Sequence, residues 1–322
     1  TADVNYVLFD GGISKARLVM EQVALNSKAA GVDAEILKVQ KQVMEAYFRA
    51  LLFEKNADIM EAQQQTLKAS IKKVDAMVEY GVAMRNQADI LNMEMKRLEQ
   101  RKAEAITGKA QQLASIALLS GLDISEATVL QQPRDLIIPD ADFSARPEYA
   151  MLSQKKASLE LKSQLETNMA KPKASLFGQG GYGRPGLNFL NNSFSPWYIG
   201  GVRLSWNLSP LYSLKRNKQI NALSSDAVDL QREVLNTRLR TMYDMQTAEA
   251  AKLRALMVQD NEIITLSEGI TKAYAAQLEN GVITSDAYTR RLNAETQARL
   301  SLALHETQLL MALHSIRMLT GL

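Results

Sequence analysis

Along most of the chain, apolar side chains recur every three or four positions, and the pattern breaks where proline and glycine gather. All seven prolines lie between Pro133 and Pro210. Proline is nearly excluded from helix interiors because it lacks an N–H and its ring clashes with the preceding turn. Residues 12–80 hold no proline and one internal glycine, Gly31, and are dense in Ala, Leu, Lys, Glu and Gln, all good helix formers. The spacing predicts one helix over 12–80, roughly 100 Å long at 1.5 Å per residue. After a break at Gly81, a second helix is expected from about 86 to 120, ending at Ser120-Gly121, where glycine suits a left-handed cap. The scheme recurs as a helix over 210–279, a break at Asn280-Gly281 and a returning helix over 286–320. Two long helical hairpins result. Ile220, Leu223, Ala227, Leu230 and Val234 step by threes and fours, the a/d pattern of a coiled-coil seam, so supercoiled antiparallel packing is expected.

Elsewhere the period shortens to two. From Gly201 to Ser209 the even positions Val202, Leu204, Trp206 and Leu208 are apolar and the odd ones polar or small, as in a strand with two unlike faces. Val4, Tyr6 and Leu8 repeat this, with Asp3 and Asn5 opposite. A further strand from Ala174 to Arg184 puts Ala174, Leu176 and Tyr182 on one face and Ser175 and Gln179 on the other, although it carries four glycines and Phe177 breaks the alternation. Pro185 to Pro196 reads as a polar hairpin loop joining it to the next strand, 197–208. Ser209-Pro210 supplies an N-cap and an N1 proline for the following helix. An apolar face with Tyr182, Trp197, Tyr198 and Trp206 near strand ends fits barrel strands between lipid and an aqueous interior. A half-buried sheet in a soluble protein has the same alternation. The barrel is preferred because an open three-stranded edge is a liability and no second sheet is in view. The lipid-facing set is then Tyr6, Leu8, Leu176, Tyr182, Tyr198, Val202, Leu204, Trp206 and Leu208.

Residues 122–146, with Pro133, Leu136-Ile137-Ile138-Pro139 and Asp140 to Asp142, read as a short strand-containing belt, after which Ser144 and Pro147 open a helix to about 170. Each uninterrupted long helix is thus expected beside two stacked shorter ones.

At a separation of 200 residues the chain resembles itself: Gly81-Val82 with Gly281-Val282, Leu119 to Leu122 with Leu319 to Leu322, and Tyr6-Val7-Leu8 with Trp206-Asn207-Leu208. Val43 and Tyr47 match Leu239 and Tyr243 at 196, a four-residue slip that a coiled coil absorbs as a stutter. Internal duplication follows, with residues 1–121 as the first repeat, 122–146 as the belt and 147–322 as the second repeat. The first repeat lacks a strand and helix that the second has, so the chain is expected to be an interior piece of a longer protein without its targeting signal.

Composition removes most chemistry. The chain has 322 residues, no cysteine and two histidines, His305 and His314, which leaves no disulfides, zinc fingers or thiol catalysis and little for acid–base work. Its net charge of +3 is dispersed along the chain, against nucleic-acid binding. Met93 and Met95 are the nearest approach to a soft-metal pair, but they point apart on a helix, so no metal or cofactor is expected. The glycines of Gly178 to Gly183 do not open a helix, so phosphate binding there is not expected either.

In this order, several short stretches resemble the TolC family of outer-membrane efflux ducts. They are Leu8-Phe9-Asp10-Gly11-Gly12, Leu204-Ser205-Trp206-Asn207-Leu208, Arg146-Pro147-Glu148, both Gly-Val tips, and Asn280 to Thr284 through Leu292 to Thr296. The resemblance implies a homotrimer, a shared twelve-stranded barrel in the outer membrane and a hollow α-helical periplasmic cylinder. It also implies a passive duct without enzymatic activity, working with a periplasmic adaptor and an inner-membrane pump that selects the cargo. The tips Gly81, Val82, Gly281 and Val282 would dock the adaptor. Asp89 and Asp286, with Arg290 and Arg291 as ion-pair partners, would be candidates for a periplasmic gate. A type I protein secretion duct and a soluble periplasmic coiled-coil adaptor or scaffold are the alternative readings.

Overall fold

A computed structural model describes residues 1–125, 128–133, 137–184, 190 and 192–321. In chain order the elements are β1 (Ala2–Phe9), α1 (Ile13–Glu79), α2 (Arg85–Ser120), α3 (Pro147–Met169), β2 (Lys173–Gly183), β3 (Ser195–Ser205), α4 (Ser209–Glu279) and α5 (Ser285–Leu319). Every helix boundary falls within about two residues of where the proline and glycine punctuation puts it. Among the described residues no helix is long and apolar enough to cross a membrane, which says nothing of barrel strands. Contacts divide the chain into two units, one of Thr1–Ala34 with Arg146–Thr237 and one of Glu35–Ala145 with Arg238–Leu322.

The first unit holds a three-stranded antiparallel sheet in the order β1-β2-β3. Tyr6, Leu176 and Val202 are direct neighbours across it, as are Ala174 and Leu204, and Gly180 and Tyr198. Directly paired residues share a face, so Val4, Tyr6, Leu176, Tyr182, Tyr198, Val202 and Leu204 lie on one side. Two details depart from the alternation. A bulge lies between Val7 and Phe9, leaving Leu8 as the extra, unpaired residue. β3 ends at Ser205, so Trp206 and Leu208 belong to the turn into α4 and not to a strand. Trp197 also lies opposite Tyr198, on the face with Phe177 and Arg203.

That second face explains the glycines and the misfit phenylalanine together. Trp197 pairs with Gly181 and Phe177 with Gly201. A Cβ on Gly181 would come within 2.9 Å of the Trp197 ring, and one on Gly201 within 3.1 Å of Phe177. Each ring fills the space its partner's missing side chain leaves, an arrangement that stabilises strands otherwise weakened by glycine. Arg203 lies over the Phe177 ring at 4.8 Å.

The strand-to-helix junctions are clasped by the end of α3. Asn168 donates from Nδ2 to the Gly12 carbonyl at 3.2 Å, and a Cβ on Gly11 would come within 2.6 Å of the Asn168 carbonyl oxygen. Gly11 and Gly12 also have φ of 79° and 88°, a region closed to most side chains. At the other junction Trp206 Nε1 donates to the Ala170 carbonyl at 3.0 Å. Asp10 accepts from the N–H groups of Gly12 and Ser14 at 2.8 and 2.6 Å. The hydroxyl and N–H of Ser14, with those backbone donors, hold its carboxyl down at about 2. Asn207 makes the same turn, accepting from Ser209 N–H at 3.0 Å. The two junctions therefore match at a separation of 197, Asp10 with Asn207, rather than at the 200 suggested by Tyr6-Val7-Leu8 and Trp206-Asn207-Leu208.

The second unit has an apolar interior made by its own chain. Leu67 and Val74 of α1, Leu91 and Leu98 of α2, Leu278 of α4, and Tyr288 and Leu292 of α5 are all buried in one cluster. A second cluster joins Ala250 and Leu253 to Leu309, Ala312 and Leu313, and a third joins Ala46 and Ala50 to Leu113 and Ile116. The belt packs on these: Ile138 on the second, Ile124 and Leu130 on the third, with Phe143 buried and edge-on to Tyr243 at 6.1 Å between ring centres. Contrary to expectation, the belt forms no strand among its described residues; Leu136 lies outside them. Two of its carbonyls are instead bound by the helices, Tyr47 donating its hydroxyl to the Gln131 carbonyl at 2.5 Å and Tyr243 to the Pro139 carbonyl at 2.8 Å.

Candidate functional site

The informative surfaces of this molecule are exposed. The first is the apolar face of the sheet. Val4, Tyr6, Leu176, Tyr182, Tyr198, Val202 and Leu204 are all exposed, Tyr198 at 87% and Leu204 at 75%. Among the described residues no other element of the first unit covers them, and Tyr182 stacks on Phe194 at 5.8 Å at the hairpin end. Most of the hairpin loop, residues 185–189 and 191, lies outside the described residues. Seven of the nine residues expected on the apolar face are strand residues on it or, for Leu8, at its bulge. Trp206 and Leu208 are the exceptions, because the chain has already turned into the junction, where the Trp206 indole is held by its hydrogen bond to Ala170.

The second surface corrects the expected seam. Ile220, Leu223, Ala227, Leu230 and Val234 do not face a helix of their own unit but are exposed, Leu223 and Val234 at 68% each. α4 meets α3 through polar side chains, and its Asn221 and Val228 are buried. Cross-links there are polar: Lys156 to Asp229 at 2.7 Å, Lys155 to Gln231 at 3.1 Å and Tyr149 to Asn236 at 3.2 Å. α1 carries a matching stripe that periodicity could have flagged. Leu18, Leu25 and Val32, spaced seven apart, are exposed as well. An a/d pattern says that a seam exists without saying whose helix completes it.

The third is the pair of hairpin tips. Val82 N–H donates to the Met77 carbonyl at 2.8 Å and Val282 N–H to Gln277 at 2.9 Å, with Gly81 at φ 72° and Gly281 at φ 68°. The left-handed turn is the reason for glycine at each tip. Val82 and Val282 project into solvent. The hairpins are tied together just above: Ser285 N–H donates to Gln87 Oε1 at 2.6 Å, the Ser70 and Tyr288 hydroxyls lie 3.0 Å apart, and Lys73 pairs with Glu279. Burial pushes the Tyr288 hydroxyl above its ordinary value.

Around the tips the candidate gate charges are engaged locally. Asp286 pairs with Arg290 at 2.8 Å and Asp89 with Arg85 at 3.4 Å, each within its own helix. The Arg291 guanidinium lies over the Tyr274 ring at 5.3 Å. Arg85, as the partner of Asp89, was not singled out by sequence, although its four-residue spacing could have found it. Among the described residues no group of three or more His, Asp or Glu is placed to hold a metal ion. Met93 is exposed and Met95 packs on the tip core, so they do not form a pair.

The fold has counterparts among solved structures. The chain aligns with the Campylobacter jejuni CmeC outer membrane channel at a TM-score of 0.78 and 12% identity, covering 99% of this chain and 70% of that one. The outer membrane protein VceC of Vibrio cholerae aligns at 0.78 and 14% identity, over 99% and 78% of the two chains. The chain has a TolC-like fold. The open state of the Neisseria gonorrhoeae MtrE outer membrane channel agrees, at 0.75 and 15% identity over 96% and 72%. No family model matches the chain, and no curated protein matches it in sequence. At 12–15% identity the likeness is one of fold rather than of residues.

Proposed function

We propose that this chain is an outer-membrane duct of a tripartite efflux pump in a Gram-negative bacterium. As a homotrimer it would pass small molecules from an inner-membrane pump, through a periplasmic adaptor, to the exterior. The observation that carries the reading is the uncovered apolar sheet face. A soluble protein has reason to hide such a face, whereas a barrel strand presents it to lipid. β1 and β3 are both edges of the sheet, and joining edges between copies would remove the unpaired backbone a bilayer penalises. The exposed stripes of α1 and α4 support the same assembly: three copies would bring each Leu18-Leu25-Val32 stripe against a neighbour's Ile220-to-Val234 stripe.

Transport in such a tube requires no catalysis, and selection would rest with the pump. The tips Gly81-Val82 and Gly281-Val282 would meet the adaptor, and Asp89, Asp286, Arg290 and Arg291 would line the periplasmic constriction. We also read the two halves, 1–121 and 147–322 about the belt 122–146, as a duplication. The like roles of Tyr47 and Tyr243, of Asp10 and Asn207, and of the two tips support it.

Membrane association and assembly test the reading. The chain should partition into detergent and, in liposomes, conduct ions. Because it has no cysteine, a Leu25→Cys, Leu223→Cys variant gives a clean cross-linking assay, the two positions lying about equally far into α1 and α4. Oxidation should give covalent dimers and trimers. A water-soluble monomer that neither cross-links nor enters bilayers would end the proposal.

A further inference from the structure

A cavity of about 330 Å³ lies in the first unit at the foot of β1, lined by Phe9, Gly11, Gly12, the start of α1 and the last turns of α3. Its composition is divided. Phe9, Val19 and Leu161 form an apolar part, while Lys15, Lys171 and Gln164 bring polar ends. The buried Asn168, 6% exposed, braces the floor: its Nδ2 holds the Gly12 carbonyl and its Oδ1 accepts from the Lys171 ammonium at 2.8 Å. Neither lysine has a carboxylate partner among the described residues. Asp10, the acidic group of this junction, is occupied by the N–H groups of Gly12 and Ser14.

Two uncompensated ammonium groups beside an apolar wall suit a ligand with an anionic head and a greasy body. The position narrows the choice, because the cavity opens directly below Phe9, the last residue of a strand whose exposed face is apolar. We propose that this cavity binds the phosphate of an anionic phospholipid, with Lys15 and Lys171 contacting the phosphodiester oxygens and Phe9, Val19 and Leu161 the glycerol and proximal acyl chain. The inference rests on the outer-membrane reading, which places the strand end at the bilayer boundary. Bound there, the lipid bridges β1, α1 and α3 and fixes the depth at which the duct sits.

The test uses the full chain in nonionic detergent micelles, titrated with phosphatidylglycerol or phosphatidylcholine and followed by native mass spectrometry and thermal melting. Phosphatidylglycerol should bind roughly tenfold or more tightly than phosphatidylcholine. The Lys15→Gln, Lys171→Gln variant should lose that preference while melting, without lipid, like the parent. Lys215→Gln, an exposed lysine of the same unit, should keep it. Retention of the preference by the double variant, or its equal loss in Lys215→Gln, overturns the site. Soluble glycerol phosphate displacing the lipid at equal concentration overturns the lipid as ligand. A chain that inserts and conducts but binds both lipids alike fails only this inference, whereas one that never inserts fails the duct reading and this with it.

Discussion

The two units bury their apolar residues in opposite ways. In the second, Leu67, Leu91, Leu98, Leu253, Leu313 and Ile316 are almost wholly enclosed by helices of the same chain. In the first, side chains of the same kinds, Leu18, Leu25, Ile220, Leu223 and Val234 on helices and Val4, Val202 and Leu204 on strands, stay exposed. Helix propensity and apolar spacing are alike in both, so the difference lies in the partner. The second unit closes several clusters with its own chain, although α4 still exposes Met245, Val258 and Leu266 there; the first leaves its sheet face uncovered, which the proposed duct would give to lipid and further copies of the chain. The buried clusters of the second unit should therefore depend less on detergent and assembly than the sheet of the first does.

Breaking the self-made core should have the largest effect on stability. Leu67 is fully buried between the two hairpins, so Leu67→Ala should cost about 2–5 kcal/mol, read as a fall in the denaturation midpoint. The matched change in the other unit should act differently. Leu223→Asp with Val234→Asp should leave helix content intact by circular dichroism and abolish the trimer in detergent, by sedimentation. Trimer persistence with both charges present would show that the α4 stripe is not an interface.

A smaller effect is expected at the clasp. Gly11→Ala forces a Cβ to within 2.6 Å of the Asn168 carbonyl oxygen at φ of 79°, which should cost about 1–3 kcal/mol. Because the disturbance lies in the first unit, the midpoint of helix melting should move less than for Leu67→Ala, while protease cleavage at the junction increases.

The same contrast explains what could be read in advance. Helix limits were legible because proline and glycine act locally: Gly81, Gly121 and Gly281 each take the positive φ that ends a helix. The strand faces were legible wherever the alternation was unbroken, as at Tyr6, Leu176 and Val202. They failed at Leu8 and at Trp206, because a bulge and a strand end depend on which carbonyl the neighbouring strand offers. Phe177 looked like an error in the pattern and Trp197 was placed on the wrong face, because their partners, Gly201 and Gly181, act through space they leave empty. The belt looked like a strand because Ile137 and Ile138 are β-branched, yet its carbonyls at Gln131 and Pro139 are claimed by Tyr47 and Tyr243. The stripe on α4 was legible from its spacing, but not that its own unit leaves it exposed. Whether the charges at the tips form a gate is untested by these contacts, but the four-residue spacing that pairs Asp286 with Arg290 also pairs Asp89 with Arg85, which was passed over.

His314 offers a pH-dependent probe of the self-made core. Its ring lies against Phe48 at 5.3 Å, and burial together with Arg317 lowers its pKa below the ordinary 6.5. Because the folded pKa is depressed, the unfolded chain binds the proton more readily over the interval between the two values. Stability is complete above about pH 6.5 and falls as the pH drops toward the folded value. His314→Phe should remove that component of the acid slope, measured as midpoint against pH, without altering trimer assembly.

The smallest expected effect separates structure from gating at the tips. The Asp286–Arg290 pair is 57% and 71% exposed. An exposed pair four residues apart on a helix contributes about 0.2–0.5 kcal/mol. Arg290→Ala should therefore leave the melting temperature almost unchanged, as should Arg85→Ala at the other tip, where the arginine precedes its acid and opposes the helix dipole. Conductance discriminates where stability does not. If Asp286 lines the constriction, freeing its carboxylate three times around a trimer raises the negative potential there and should increase cation over anion permeability. Arg85→Ala should do the same only if Asp89 shares that ring. Equal selectivity in parent, Arg290→Ala and Arg85→Ala would leave these pairs as solvated surface charges and move the gate elsewhere on the tips.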